Sequence, residues 1–313
     1  MTLNQLLYVT TLNRVGNFRK AAESLGISQP ALSLQVQKLE EELGISLFNR
    51  STKPMEVTAD GALFLEKAQE ILTNVNQLSK ISDEINETYK GKLTVGIIPT
   101  LAPFLVPLFA EALQSDYPGF GLDIHEVITE RVVRGVKMGE LDVGIISTPI
   151  TTRGIEVLPL FYEEFYLYTS TNLMSKGNEM RLEDIPYDHL WLLDEGNCFR
   201  DQVNDLCDLN KIRKEKTFIY RSNSIDALVR IVDSKGGVTI LPELSTLSLT
   251  AEQEYNIKRI SGIPKVREIS LIVTKGYNKK RFIVKLEEYI KANVPGHMIK
   301  QRKFEIVDPN IHI

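Results

Sequence analysis

The sequence has few cysteines, no long hydrophobic run and no excess of positive charge. Two cysteines and four histidines occur among 313 residues, and their spacing matches neither a metal site nor a disulfide framework. No apolar stretch approaches the length of about 18 residues that a membrane-spanning helix needs, and the N-terminus lacks a basic segment followed by an apolar run. No Walker-type phosphate loop is present. We therefore expect a cytoplasmic protein that needs no metal or other cofactor and has no membrane partner.

Charge gives no simple guide to the partner. The formal net charge is −4, whereas nucleic-acid-binding proteins usually carry a basic patch. Residues 1–58 contain six basic and five acidic side chains, so this part of the chain is almost neutral. The composition, 43% hydrophobic and 25% charged, leaves room for more than one core. Overall charge therefore neither supports nor excludes DNA binding.

Residues 1–58 have the pattern of short helices separated by glycines. Asn17 is a candidate N-cap, and Gly26 offers the left-handed residue that ends a helix. Between them, one apolar face follows helical spacing through Phe18, Ala21, Ala22 and Leu25. Ser28 is a second N-cap, Pro30 falls in the first turn, and a helix is predicted from Gln29 to about Glu42. This order predicts a helix-turn-helix, and a generic helical hairpin is the alternative.

The outer face of the second helix is polar and uncharged for most of its length. A helix of this kind fits the major groove, where Gln reads adenine and an exposed Leu can touch a thymine methyl. The residues predicted to contact DNA are Ser28, Gln29, Pro30, Ser33, Leu34, Gln37 and Lys38.

After this helix, Leu47–Thr58 has the pattern of two short strands with a basic tip. We interpret it as a wing that places Arg50 and Lys53 against phosphate or the minor groove.

Residues 59–90 have the pattern of one long helix. Its apolar residues recur at steps of three and four, which is typical of a coiled-coil seam. The seam positions are Leu65, Ala68, Leu72, Val75, Leu78, Ile81, Ile85 and Tyr89. We therefore predict that this helix pairs two subunits. The alternative is a helix packed on its own domain.

From Gly91 onward, short β-branched runs alternate with helical segments, which predicts an α/β domain with parallel strand pairing. A helix near Pro103–Gln114 follows the first strand, and a helix from about Lys279 to Ala292 closes the domain. The predicted strands are Lys92–Ile98, Leu122–Val127, Asp142–Ser147, Glu164–Tyr168, Leu190–Leu193, Phe218–Arg221, Gly237–Leu241 and Ile269–Val273.

The two cysteines are close in sequence. Cys198 follows the turn signal Gly196-Asn197 and precedes a predicted helix over Phe199–Leu206. A thiol at a helix N-terminus, with Arg200 nearby, is favoured as the thiolate. Nine residue steps separate Cys198 from Cys207, or about 13 Å along a helix, whereas a disulfide needs roughly 4.4–6.8 Å between Cα atoms. A bond between them therefore requires the helix to unwind, and two incidental buried cysteines are the alternative.

The N-terminal motifs resemble the signature of the LysR-type regulators. They occur in the same order at Phe18–Ala22, Ser28–Ser33, Leu39–Glu40, Leu43–Gly44, Leu47–Arg50 and Thr58–Gly61. Leu34 departs from the signature, because many members carry Arg there. The resemblance implies a non-enzymatic regulator that binds promoter DNA as a homodimer or homotetramer and contacts RNA polymerase.

The same resemblance implies the architecture. An all-α winged helix-turn-helix domain, residues 1–58, is followed by a linker and dimerisation helix, 59–90. The α/β effector domain, 91–300, consists of two Rossmann-like lobes arranged as in periplasmic binding proteins. Residues 91–161 with 268–300 form one lobe and 162–267 the other. The tail, 301–313, has no predicted role.

Within that family, the chain resembles, from about residue 1 to residue 295, the members that sense hydrogen peroxide. The matching residues are Gly96–Thr100, Pro103, Leu105, Pro107, His125, Glu126, Thr129, Gly196, Cys198, Arg200–Gln202 and Cys207. The resemblance implies that peroxide oxidises Cys198, that Cys207 resolves the product to a disulfide, and that Thr100, Thr129 and Asp201 help to hold peroxide. Asn197 stands where enterobacterial members carry His.

Two other functions are consistent with these features. One is a LysR-type regulator that binds a small metabolite between its lobes, with the cysteine spacing a coincidence. The other is a thiol peroxidase with a DNA-binding appendage.

Overall fold

The computed structural model describes residues 1–49, 55–85, 91–170, 177–194, 197–207, 222–277, 280–300, 303–309 and 311, with the backbone alone for 76–85 and 280. The chain divides into two compact units, Met1–Ser82 and Asp83–Ile313.

Three helices build the first unit. The predicted caps are present: the Asn17 side chain accepts a hydrogen bond from the Lys20 amide at 3.1 Å, and the Ser28 hydroxyl accepts one from the Ala31 amide at 3.3 Å. Gly26 adopts a left-handed conformation, φ 66°, which a side chain would strain. The helices are α1 (Leu3–Val15), α2 (Phe18–Leu25) and α3 (Gln29–Leu43). The predicted helix-turn-helix is therefore confirmed.

The wing strands follow α3. Strand β1 (Phe48–Asn49) pairs antiparallel with β2 (Glu56–Val57). The predicted tip residues, Arg50 and Lys53, lie outside the described residues. Gly61 is required where the next helix begins, because a Cβ there would collide with the Leu47 carbonyl.

The long helix is α4 (Ala59–Ile85). The first two positions of the predicted seam, Leu65 and Ala68, are 5% and 1% exposed within this unit, and Leu65 belongs to the core beneath α1–α3. At its N-terminal end, therefore, the helix packs on its own domain, as the alternative interpretation held. Leu63 and Ile71 are the large apolar side chains that are exposed in its described part. Among the described residues, no helix combines the length and the apolarity needed to cross a bilayer.

The second unit begins with a lobe built on a mixed sheet. Strand β3 pairs parallel with both β4 and β5, as predicted. Strand β11, however, runs antiparallel to β5 and to β6, so the prediction of parallel pairing is wrong there. The elements of this lobe are β3 (Gly91–Ile97), α5 (Ala102–Asp116), β4 (Phe120–Glu126), α6 (Thr129–Lys137), β5 (Val143–Thr148), β6 (Ile155–Thr169), β11 (Lys265–Thr274) and α11 (Lys280–Asn293).

Strand β6 continues from the first lobe into the second. Its residues 155–164 pair with β11, and residues 165–169 pair with β9. The predicted strand Phe218–Arg221 lies outside the described residues. The described elements of the second lobe are β7 (Glu179–Met180), β8 (Leu190–Trp191), α7 (Cys198–Cys207), α8 (Ile225–Lys235), β9 (Val238–Pro242), α9 (Glu243–Thr246), α10 (Ala251–Glu254) and β10 (Ile257–Ile260).

The C-terminal residues return to the sheet. After α12 (Gly296–Ile299), strand β12 (Glu305–Ile306) pairs parallel with the first residues of β11. No pattern in the sequence predicts this strand, because two exposed residues carry no alternation.

Candidate functional site

Helix α7 begins at Cys198 because Asn197 caps it. The Asn197 side-chain oxygen accepts a hydrogen bond from the Phe199 amide at 3.0 Å, and its carbonyl accepts one from the Arg200 amide at 2.9 Å. Asn197 is itself buried. The residue that departs from the enterobacterial pattern thus serves as an N-cap, for which Asn is among the best side chains.

A buried ion pair lies beside this helix. Arg267 on β11 and Glu163 on β6 are both 0% exposed, and the Arg267 Nε lies 2.5 Å from a Glu163 oxygen. The other Glu163 oxygen accepts a hydrogen bond from the Leu244 amide at 2.9 Å. Burial raises the pKa of Glu163, and the charge of Arg267 opposes that rise. Two charges held this deep require each other, because an unpaired one would be strongly destabilising.

Arg267 connects the ion pair to Thr100 and to α7. Its Nη1 donates to the Thr100 hydroxyl oxygen at 2.9 Å, and its guanidinium carbon lies 5.0 Å from the centroid of the Phe199 ring. The Phe199 ring also stacks on Phe165, with centroids 5.6 Å apart. Because the Thr100 oxygen accepts from Arg267, its hydroxyl proton remains available for a further acceptor.

The Cys198 thiol is buried, and burial raises its pKa. A hydrogen bond from the Thr129 hydroxyl and the positive charge of Arg267 oppose this rise, whereas the negative charge of Asp201 adds to it. The expectation of a thiol whose pKa is lowered by the helix N-terminus is therefore wrong in direction, because desolvation dominates. The cation expected to favour the thiolate was also the wrong one. Arg200 donates to the Leu193 carbonyl at 2.6 Å, and the positive charge that lowers the pKa of Cys198 is that of Arg267.

The Cys207 thiol is buried at the other end of α7. Burial raises its pKa to about 12, although a hydrogen bond from Tyr187 opposes the rise. Both cysteines are free thiols. Since α7 is continuous from one to the other, their Cα atoms are about 13 Å apart, too far for a disulfide.

The structure brings together most of the residues predicted to hold peroxide. Thr129 contacts Cys198, Asp201 is close enough for its charge to act on the thiol, and Thr100 joins them through Arg267. Sequence reasoning missed Arg267 and Glu163. Strand alternation could have shown that both side chains are buried, because residues two apart in a strand share a face. Arg267 shares its face with the buried Ile269 and Leu271. Glu163 shares its face with the buried Phe161 and Phe165.

The predicted DNA-contacting residues lie on the first turns and outer face of α3. Ser28, Gln29, Pro30, Gln37 and Lys38 are exposed, and Ser33 is half-buried. Leu34 is 50% exposed, as contact with a thymine methyl requires. The Gln37 amide donates to Glu41 at 2.8 Å.

No cluster of three or more His, Cys, Asp or Glu side chains suited to a metal occurs in the described part of the chain.

These features define a class: a helix-turn-helix regulator with a two-lobed effector domain. The family "Bacterial regulatory helix-turn-helix protein, lysR family" matches residues 3–62, and "LysR substrate binding domain" matches residues 86–293. The chain belongs to the LysR family of transcription regulators. Members of this family bind promoter DNA, oligomerise and are not enzymes. The thiol peroxidase interpretation is therefore set aside.

Relatives within the family carry more than one name. The chain is 30% identical to the HTH-type transcriptional regulator EstR of Acinetobacter baylyi, covering 88% of this chain and 91% of that one. It is 29% identical to the DNA-binding transcriptional dual regulator OxyR of Escherichia coli K12, covering 97% and 99%. A structure of a full-length OxyR variant from Pseudomonas aeruginosa superposes with a TM-score of 0.77 at 28% identity, covering 96% and 98%.

Proposed function

We propose that this chain is a hydrogen-peroxide-sensing transcriptional activator, switched by a reversible disulfide between Cys198 and Cys207. The observation that carries the proposal is that the buried Cys198 thiol interacts with both the Thr129 hydroxyl and the charge of the buried Arg267 guanidinium. Relatives named for hydrogen peroxide or OxyR support it. In this proposal residues 1–58 bind DNA, 59–90 pair subunits, and 91–300 sense peroxide.

The chemistry proceeds in two steps. The Cys198 sulfur, as thiolate, attacks one oxygen of hydrogen peroxide, the O–O bond breaks, and the other oxygen leaves as water after taking a proton. Hydroxyls at Thr100 and Thr129 can orient both peroxide oxygens, and Arg267 stabilises the thiolate. The Cys207 sulfur then attacks the Cys198 sulfenic acid, forms the disulfide and releases a second water.

Reduction by cellular thiols would reset the switch, which places the protein in the reducing cytoplasm. The disulfide closes a loop that is helical in the reduced protein. Closing it constrains the chain by roughly 2–3 kcal/mol in the entropy description. That is enough to shift a domain with two arrangements, and with it the spacing of DNA-binding domains along a promoter and their contact with RNA polymerase.

Peptide mapping tests the proposal directly. Trypsin cleaves after Arg200, so Cys198 and Cys207 fall in separate peptides, Leu182–Arg200 and Asp201–Lys211. After dilute peroxide, the two peptides should appear joined, with the loss of two hydrogens. Cys198→Ser should abolish the joined species, and Cys207→Ser should stop at the sulfenic acid. Unjoined peptides from oxidised wild-type protein would contradict the proposal.

The alternative is a LysR-type regulator that binds a small metabolite between its lobes. It stays open because the chain is also 30% identical to EstR, a relative not named for peroxide, and covers 91% of it, against 99% of the Escherichia coli OxyR. It predicts that a metabolite changes the DNA affinity of the Cys198→Ser protein. The peroxide proposal predicts that this variant is locked in its reduced DNA-binding mode.

A further inference from the structure

The C-terminal segment 303–309 contacts the helix that joins the two cysteines. The Gln202 side-chain amide donates to the Val307 carbonyl at 2.7 Å, and Gln202 is 0% exposed. Gln202 lies one helical turn after Cys198 and five residues before Cys207. The contact therefore holds the middle of α7.

The segment is itself anchored on the strand that carries Arg267. Glu305 and Ile306 pair with Lys265 and Val266 of β11, and the Val307 amide donates to the Val266 carbonyl at 2.8 Å. The Phe304 ring packs on Tyr162, with centroids 4.7 Å apart, and Lys265 forms an ion pair with Glu305. Val307 and Pro309 are buried. The carbonyl that receives Gln202 is thus held in place by several independent contacts.

Because α7 must unwind before Cys198 can reach Cys207, the Gln202–Val307 hydrogen bond must break during the same step. The oxygen of the Gln202 amide is already buried without a hydrogen-bond partner among the described residues, so the bond to Val307 is the one that fixes this side chain. The LysR substrate binding domain matches residues 86–293, so residues 303–309 lie outside the matched region.

We propose that residues 303–309 act as a clamp on α7, with Gln202 as the positioning residue, and that the clamp slows conversion of the Cys198 sulfenic acid to the disulfide. This proposal rests on the peroxide-sensing function proposed above. The clamp opposes only the second step, in which Cys207 attacks Cys198 and water leaves, because peroxide attack at Cys198 requires no unwinding of α7. Its effect is to keep the reduced helix intact until Cys198 has been oxidised.

The two steps can be timed separately. In a Cys207→Ser background, a dimedone-type trap measures formation of the sulfenic acid. With both cysteines present, the joined tryptic peptides measure disulfide formation. Gln202→Leu removes the amide donor, and a chain ending at residue 306 removes the Val307 carbonyl. Asn204→Leu is the matched control, since it makes the same kind of exchange at a half-buried position of α7.

Gln202→Leu and the shortened chain should each accelerate disulfide formation by about threefold to tenfold, as expected for the loss of one hydrogen bond from the state that must open. The rate of sulfenic acid formation should stay within about twofold of wild type, because peroxide attack on Cys198 does not break the Gln202–Val307 hydrogen bond. Asn204→Leu should leave both rates unchanged. Thermal unfolding shows whether each variant folds. If one of them does not, the rates of the other variant test the clamp.

Unchanged disulfide rates in both clamp variants would overturn the clamp, and so would an equal acceleration of both steps, which indicates general loosening. Wild-type protein that forms no joined peptides at all would instead overturn the peroxide-sensing function, and the clamp with it.

Discussion

At the scale of single residues, the Cys198 thiol combines burial with a nearby positive charge. Burial raises its pKa, so the thiol is protonated at neutral pH, and the reactive thiolate is a minor form whose share grows with pH. The Thr129 hydroxyl and Arg267 stabilise that form once it appears.

This arrangement predicts the pH dependence of oxidation. Since the folded-state pKa lies above the ordinary thiol value of about 8.5, the rate of sulfenic acid formation in Cys207→Ser protein should rise continuously from about pH 6 to about pH 9. Stopped-flow measurement with a fixed dose of peroxide checks this. A rate that levels off near neutral pH would show that the pKa is lowered instead.

Arg267 should be needed for both stability and reactivity, and the two effects can be separated. Arg267→Met leaves Glu163 buried without its partner, which should cost about 3–5 kcal/mol of unfolding free energy. It also removes the charge that favours the thiolate, so oxidation of Cys198 should slow by about tenfold. Chemical denaturation and the trap assay measure the two effects.

The double variant Arg267→Met with Glu163→Gln is the control. Removing the unpaired carboxylate should restore most of the stability, whereas the slow oxidation should persist. Arg200→Met, which removes a guanidinium that binds Leu193 instead, should leave the rate nearly unchanged. Recovery of the rate in the double variant would show that Arg267 acts only through folding.

Sequence reasoning found the thiols, the hydroxyls and Asp201 of this site but not its buried ion pair. Cys198, Cys207, Thr100 and Thr129 belong to short motifs that a resemblance can transfer. Arg267 and Glu163 lie 104 residues apart on two strands, so only the strand pairing shows that they meet. The direction of the Cys198 pKa shift was missed for the same reason, because burial depends on the packed lobes.

At the scale of elements, α3 presents the residues predicted to contact DNA. Its bounds could be predicted closely because Ser28 and Gly44 mark its ends and the buried face repeats at Leu32, Val36 and Leu39. The partner of the long helix α4 could not be predicted. A period near 3.5 shows that an apolar face exists, but Leu65 turns out to meet its own unit.

Lys38 should contribute charge without contributing sequence preference. It is exposed on α3, and Lys38→Ala should weaken binding to all DNA sequences alike and reduce the slope of log affinity against log salt by about one. Fluorescence anisotropy across a salt series measures this. Lys67→Ala on α4, whose ammonium pairs with Glu70 at 2.9 Å, is the control and should not change the slope. An unchanged slope in Lys38→Ala would place α3 differently on DNA.

At the scale of the whole molecule, the two lobes share the long strand β6, and the chain returns from the second lobe to the first through β11. In the first lobe, β3, β4, β5 and β11 could be predicted from short runs rich in β-branched residues, whereas residues 155–163 of β6 were not predicted as a strand. The antiparallel direction of β11 could not be predicted, because the chain enters that strand from the second lobe. No role could be predicted for the tail, because its contacts join residues far apart in the sequence. Val307 lies 105 positions from Gln202, and Glu305 lies 40 positions from Lys265 of β11.

In the proposed switch, one sulfur–sulfur bond controls the arrangement of several DNA-binding domains. Near-neutral charge in residues 1–58 implies that one copy binds weakly. Specific binding then depends on how the oligomer spaces its copies, and that spacing is what the Cys198–Cys207 bond is proposed to change.

The most direct test is a footprint on the DNA upstream of the protein's own gene, made with reduced and with peroxide-oxidised protein. The protected region should change in length or position on oxidation, dithiothreitol should reverse the change, and Cys198→Ser should show the reduced footprint under both conditions. Identical footprints for reduced and oxidised wild-type protein, with the disulfide verified by peptide mapping in the same samples, would contradict the proposed redox switch.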